Sequence, residues 1–154
     1  MATVYSSQKT QTDVNNPSEK VKTNEMSGRV RVAFGSYEAS SLAAGDVIEM
    51  FNLPNGARIV SGTLANDALG SSTTLAVGYG AHTYSASAAV SAVTAAYKAA
   101  ASTASAGLAD ICATIALGSG AEIDVNGSGM PVTVTLAGAT ANGTIQCTIL
   151  YVTD

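Results

Sequence analysis

The chain has no tryptophan, two phenylalanines, two cysteines and one histidine, and charged residues make up only 12% of its 154 positions. These shortages remove most of the groups that catalysis uses, since acid–base or nucleophilic chemistry needs side chains of suitable pKa within reach of one another. The lone histidine, His82, sits in the glycine-flanked loop "GYGAHTYSA" and reads as an exposed side chain rather than a base. No serine occupies a Gly-x-Ser-x-Gly elbow and neither cysteine has a histidine near it in sequence, so the residues do not point to an enzyme. Cys112 and Cys147 lie in the strand-like runs "ADICATIAL" and "TIQCTILYV". Without Cys-x-x-Cys spacing or a histidine cluster they read as two small buried apolar side chains, neither a disulfide nor metal ligands. The scarcity of large aromatics also gives no support for a carbohydrate site: Tyr79 and Tyr151 fall in strand runs, Tyr97 in an Ala-rich segment and Tyr84 in a loop.

Short motifs add no cofactor or metal. "DVNGSG", residues 124–129, copies the first half of a calcium loop, but the twelfth position is Thr135 where a bidentate carboxylate is needed. It reads as a β-turn between "AEIDV" and "PVTVTLAG". "GYG" and "GSG" lack the third glycine and the helix of a dinucleotide site. The triplets at Asn126 and Asn142 match a glycosylation acceptor, but no apolar h-region at the amino terminus suggests a secretory route. The Ala- and Ser-rich run 86–101 contains Lys98 and is too short and too polar for a membrane span.

Charge is scarce and unevenly placed. Residues 1–31 carry Lys9, Lys20, Lys22, Arg29 and Arg31 against Asp13, Glu19 and Glu25, a net of +2. The rest has only Arg58 and Lys98 against eight acids, a net of −6, within a formal total of −4. An acidic domain cannot neutralise a row of phosphates, which excludes nucleic acid as a natural partner.

What the chain does have is texture in zones. Residues 1–27 are polar, with scattered apolar positions, and read either as a floppy terminus or as an extended N-terminal arm that stays mobile until it is ordered against a neighbour. From residue 28 to 154 the sequence predicts one domain of short strands. "GRVRVAFGSYE" places Val30, Val32 and Phe34 on one face and Arg29, Arg31 and Ala33 on the other. "GDVIEMFNLP", "GARIVSGTL", "SSTTLAVGYG", "DICATIAL", "AEIDV", "PVTVTLAG" and "GTIQCTILYV" complete eight runs. "FNLPNGARIVSGTL" has the grammar of a β-hairpin about Asn55-Gly56, and Asn126-Gly127 and Asn142-Gly143 mark further bends. Residues 86–106 interrupt the pattern: Val90, Val93 and Tyr97 recur at helical spacing in alanine-rich sequence, predicting a short helix over 93–102. The expected fold is all-β, an antiparallel, jelly-roll-like β-sandwich with an N-terminal arm and this helical insertion. Cys147 is expected inside it, on one face with Ile145, Ile149 and Tyr151.

The succession "GDVIEMFNLPNGARIVSGTL", "LGSSTTLAVGYG", "YKAAAST" and "PVTVTLAGATANGTIQCTILYVTD" resembles small virion structural proteins of tailed bacteriophages, those of cyanophages in particular. The resemblance runs over most of residues 28–154. It implies a capsid decoration (cement) protein, a β-sandwich on the exterior of the head, often a homotrimer, with the major capsid protein as partner. On that implication the arm supplies the partner contacts through Val4, Tyr5, Lys9, Val14, Lys20 and Lys22, its basic bias suiting an acidic capsid surface. The other job open to such a domain is a head-fibre or spike module recognising a host-surface glycan.

Overall fold

The β-branched runs form ten strands in the computed structural model, which describes residues 3–15 and 20–153. They are β1 (Arg29–Leu42), β2 (Val47–Leu53), β3 (Arg58–Asn66), β4 (Thr73–Tyr79), β5 (His82–Thr83), β6 (Ala89–Val90), β7 (Val93–Ser102), β8 (Gly107–Ile111), β9 (Met130–Gly138) and β10 (Ala141–Thr153). Two four-stranded sheets, in the orders β1-β10-β3-β8 and β2-β9-β4-β7, make up the sandwich, and β5 and β6 pair as a small hairpin. The pairing is nested. The first strand lies beside the last, the second beside the ninth, the third beside the eighth, the fourth beside the seventh, and the β5–β6 hairpin is the tip. Rolling this long antiparallel hairpin upon itself brings β10 against β3 and β9 against β4, which completes the jelly roll.

The inner faces alternate as period-two strands should. Ile145, Cys147 and Ile149 of β10 face Leu75 and Val77 of β4 and Val132, Val134 and Leu136 of β9 across the sandwich, all fully buried. Tyr151 follows them on the same face, half-buried against the core. Both cysteines are free and buried, and burial pushes each thiol up to about 12, so neither is a nucleophile at neutral pH. Thr73 and Thr103 are also buried, and their hydroxyls satisfy one another at 3.0 Å.

Several local expectations are overturned. Residues 93–102 are not a helix: they form β7, the edge strand beside β4. Alanine's helix preference is worth only a few tenths of a kcal/mol per residue, and β4 otherwise ends its sheet with a whole row of unpaired amides. Tyr97, buried at the centre of β7, fixes which face turns inward. The bend at Pro54-Asn55-Gly56 is a turn closed by the Ala57 amide on the Pro54 carbonyl at 3.2 Å, but it joins no hairpin. Of its central residues only Gly56 has positive φ, +75°, the type II pattern rather than the doubly positive type I′ turn that suits paired strands. The chain therefore passes from one sheet to the other, and β2 and β3 find partners in β9 and β10.

Asn142-Gly143 is not a bend either. It lies inside β10, where Gly143 at φ +125° sits in a bulge against β1 and the Asn142 side chain accepts from the Ser41 amide. "DICATIAL" stops being strand at Ile111 and continues as a 3₁₀ turn, Ile115–Leu117. "AEIDV" forms no strand of its own. It runs beside residues 56–59 through the Ile123 amide on Ala57 and the Gly56 amide on Ile123, and plugs Ile123 and Val125 into the core.

Gly78 tests the placement of β7. A Cβ there would strike the Val93 carbonyl, so the glycine permits the close approach of β4 and β7. Gly78→Ala is expected to cost about 1–3 kcal/mol in urea unfolding. A wild-type midpoint would contradict the pairing.

Candidate assembly interface

Register decides which face of β1 turns outward. Ala33, Gly35 and Ala39 stand opposite Ile149, Cys147 and Gly143, and Gly35 packs under the Met50 backbone of β2. Ala33, Gly35 and Ala39 therefore face the core, and Val30, Val32 and Phe34 face out. Val30, Val32 and Phe34 are 60%, 61% and 57% exposed. Their cross-strand neighbours Val152 and Leu150 are half-buried on the same outer face, and Val60, displaced outward in the bulge of β3 against β10, extends the surface. Beyond Phe34 the face becomes polar, with Ser36 opposite Gln146 and the Thr144 hydroxyl donating to Glu38 at 2.6 Å. A contiguous apolar patch on an edge strand with an open hydrogen-bonding edge is an interaction surface in a well-behaved protein.

The arm leaves this same end of β1. Ser7–Lys9 is a helical turn capped by the Ser6 hydroxyl, and it widens into a π-helical turn over Thr10–Val14. Val4, Tyr5 and Val14 are 88%, 54% and 51% exposed. Lys9 pairs with Asp13 one turn on, and Lys20 is exposed. Lys22 has a different place: its ammonium donates to both Glu122 oxygens at 2.8 Å, within the same chain.

Lys22 belongs to an anchor that fixes the base of the arm to the sandwich. Arg58 Nη2 donates to Glu25 and to Glu122, each at 2.9 Å, and Nη1 to the Gly120 carbonyl at 2.6 Å. The buried Asn24 donates through Nδ2 to the Gly56 carbonyl at 2.8 Å, and Gln8 reaches Glu25 at 3.2 Å. Of the six arm residues singled out in the sequence, the structure leaves Val4, Tyr5, Val14 and Lys20 open and ties Lys9 and Lys22 into ion pairs. Asn24, Glu25, Arg58 and Glu122 went unread. The one signal for them was Arg58, a cation in a stretch that has only one other.

Among the described residues no three His, Cys, Asp or Glu side chains gather to hold a metal, and no helix is long and apolar enough to cross a membrane. No family model matches the chain, and a search of curated proteins finds no match. Solved structures do match. A chain of the cyanophage Pam1 capsid asymmetric unit superposes with a TM-score of 0.60 at 24% identity, covering 82% of this chain and 86% of its own. A chain of the capsid of Ralstonia phage GP4 does so with a TM-score of 0.64 at the same identity and coverage, 24%, 82% and 86%. At that identity the likeness carries the fold.

The anchor has a pH signature. The hydrogen bond from Lys22 chiefly holds the Glu122 carboxyl below the ordinary carboxylate range, with the charges of Lys22 and Arg58 adding to it against a burial effect of opposite sign. A depressed folded pKa contributes stability at pH above the unfolded value of about 4.3, and that contribution is lost as pH falls through the folded value. The amide resonances of Glu25 and Met26, whose N–H groups bond Lys22 O, are expected to hold steady from pH 7 to about 5 and to move toward unstructured values below about pH 4. In Glu122→Gln they should lie near the low-pH positions throughout. Glu122→Gln resonances identical to wild type at pH 7 would contradict the ion-pair anchor.

Proposed function

We propose that this chain is a structural protein of a phage capsid, and specifically a decoration (cement) protein that binds the outside of the head and stabilises the major capsid protein lattice. The observation that carries this is the outward apolar face of Val30, Val32 and Phe34 beside an arm whose own apolar residues are uncovered. A protein that clamps a lattice needs broad, repeated contacts rather than a catalytic centre, because many modest contacts multiplied by copy number hold a shell. Burying those three side chains against a neighbour would contribute about 1–2 kcal/mol each. The fold shared with chains of two phage capsids supports a place in the virion.

The partners on this reading are the major capsid protein and further copies of the chain, in a homotrimer. The open edge of β1 and its low-charge outer face suit close packing about a symmetry axis. The arm, domain 1–27, would reach beyond the sandwich, domain 28–154, onto a neighbour, and ordering on contact would offset part of the energy gained. The role needs neither cofactor nor enzymatic activity, and assembly takes place in the host bacterial cytoplasm.

Heat-induced DNA release from phage particles tests it. Particles carrying the full chain should retain DNA to a higher temperature than particles without it, since a ligand bound only to the intact shell stabilises that state. A variant lacking residues 1–20, which keeps the Lys22, Asn24 and Glu25 anchor, should fall between them. Equal release from all three, with host adsorption reduced in the particles lacking the protein, would replace this proposal with the glycan-binding head-fibre reading.

A further inference from the structure

At the tip of the nested hairpin the β5–β6 hairpin, Ala96 and Tyr97 of β7 and the loop 115–124 line a cleft of about 340 Å³. Its aromatic wall is Tyr79, His82, Tyr84 and Tyr97, and Glu122 and Asp124 stand among the residues lining it. We propose that this cleft binds a neutral sugar residue, with Tyr84 as the stacking platform and Asp124 and His82 as hydroxyl acceptors. The proposal does not depend on the capsid role.

The arrangement of the rings selects the platform. Tyr79 meets His82 edge-on, with centroids 5.4 Å apart and planes at 79°, and His82 meets Tyr84 at 5.9 Å and 89°. Tyr97 is buried, its hydroxyl donating to the Met130 sulfur at 3.5 Å. These rings pack edge to face in a row, and Tyr84, 42% exposed, stands at its open end. A sugar presents a face of C–H groups to such a ring and hydroxyls at its rim.

The polar groups match that rim. His82 Nδ1 lies 3.0 Å from the Gly80 carbonyl oxygen, which can only accept, so Nδ1 carries the hydrogen and Nε2 of the neutral ring is an acceptor. Asp124 accepts from the Ser85 amide at 3.0 Å, and the hydroxyl and amide of Ser85 hold its carboxyl below the usual range. An ionised carboxylate has lone pairs left for two hydroxyl donors. No Lys or Arg is among the described residues lining the cleft, which disfavours a phosphate or another anion. The crossed rings leave no cage of open faces around one point, which disfavours an organic cation. Ile115, 90% exposed at the mouth, offers apolar contact for a methyl such as that of an N-acetyl group.

His82 thus differs from its sequence reading as an exposed loop residue: it is half-buried, paired in β5 and packed between two tyrosines. The aromatic surface that composition did not support is assembled from Tyr79 and Tyr97 in strands and Tyr84 in a loop, which only the roll brings together.

Saturation-transfer NMR with methyl glucoside, methyl mannoside and methyl N-acetylglucosaminide tests the inference, with tetramethylammonium and inorganic phosphate as contrasting probes. At least one sugar is expected to receive saturation at its ring C–H protons and to shift the His82 and Tyr84 ring resonances. Tyr84→Ala and Asp124→Asn, both at exposed positions, should weaken binding at least tenfold while circular dichroism and thermal midpoint stay as in wild type. The proposal is overturned if none of the sugars binds, if binding survives both substitutions, or if only tetramethylammonium or phosphate moves those resonances.

Discussion

The ladder between β1 and β10 runs pair by pair from Arg29 against Thr153 to Ala39 against Gly143 and resumes past a bulge at Leu42 against Ala141. It is the outermost rung of the nested hairpin, and the rest of the molecule depends on it. Without β10 beside it, β1 has no register, because the pairing of Ala33 with Ile149 and of Gly35 with Cys147 is what turns its small residues inward, under Met50 of β2. Without β1, the outer residues Leu150 and Val152 keep only Val60 of β3 as an apolar companion on that face. The same ladder sets where the arm departs, next to the Arg58, Glu25 and Glu122 cluster at the start of β3.

This pairing produces an inverted strand. Most strands turn their large residues inward, but β1 turns Val30, Val32 and Phe34 to solvent and keeps alanine and glycine inside. A one-residue slip would bury the three large side chains and expose the small ones. Such a slip would also drive them into the space where Met50 crosses Gly35, and the core has no room for that volume. The exposed stripe is thus imposed by packing inside the sandwich, and it leaves the molecule with a surface that asks for a partner.

The all-β class and much of the core were legible in the sequence, and the misreadings have a common origin. Alternation in "SSTTLAVGYG" and "GTIQCTILYV" located β4 and β10, and in β10 it put Ile145, Cys147 and Ile149 inside. Alternation in "GRVRVAFGSYE" located β1 but could not say which face was inner, since that depends on Met50 and Ile149, both far away in the chain. Local chemistry favoured a hairpin at Asn55-Gly56 and a helix at 93–102, and in each case a distant strand supplied the deciding partner. The arm's apolar residues were visible as sequence. Its anchor was not, because Lys22 and Glu122 meet only through the fold.

The central claim is that the outer face of β1 and the uncovered arm are one binding surface for a capsid. A cryo-electron microscopy map of the assembled phage head tests it most directly. The account predicts density for this sandwich on the exterior of the shell, with Val30, Val32 and Phe34 buried against a neighbouring subunit and residues 3–14 laid along one. A head in which that face stays open to solvent while the protein is held by another surface, or a map with the protein absent from the head, would contradict it.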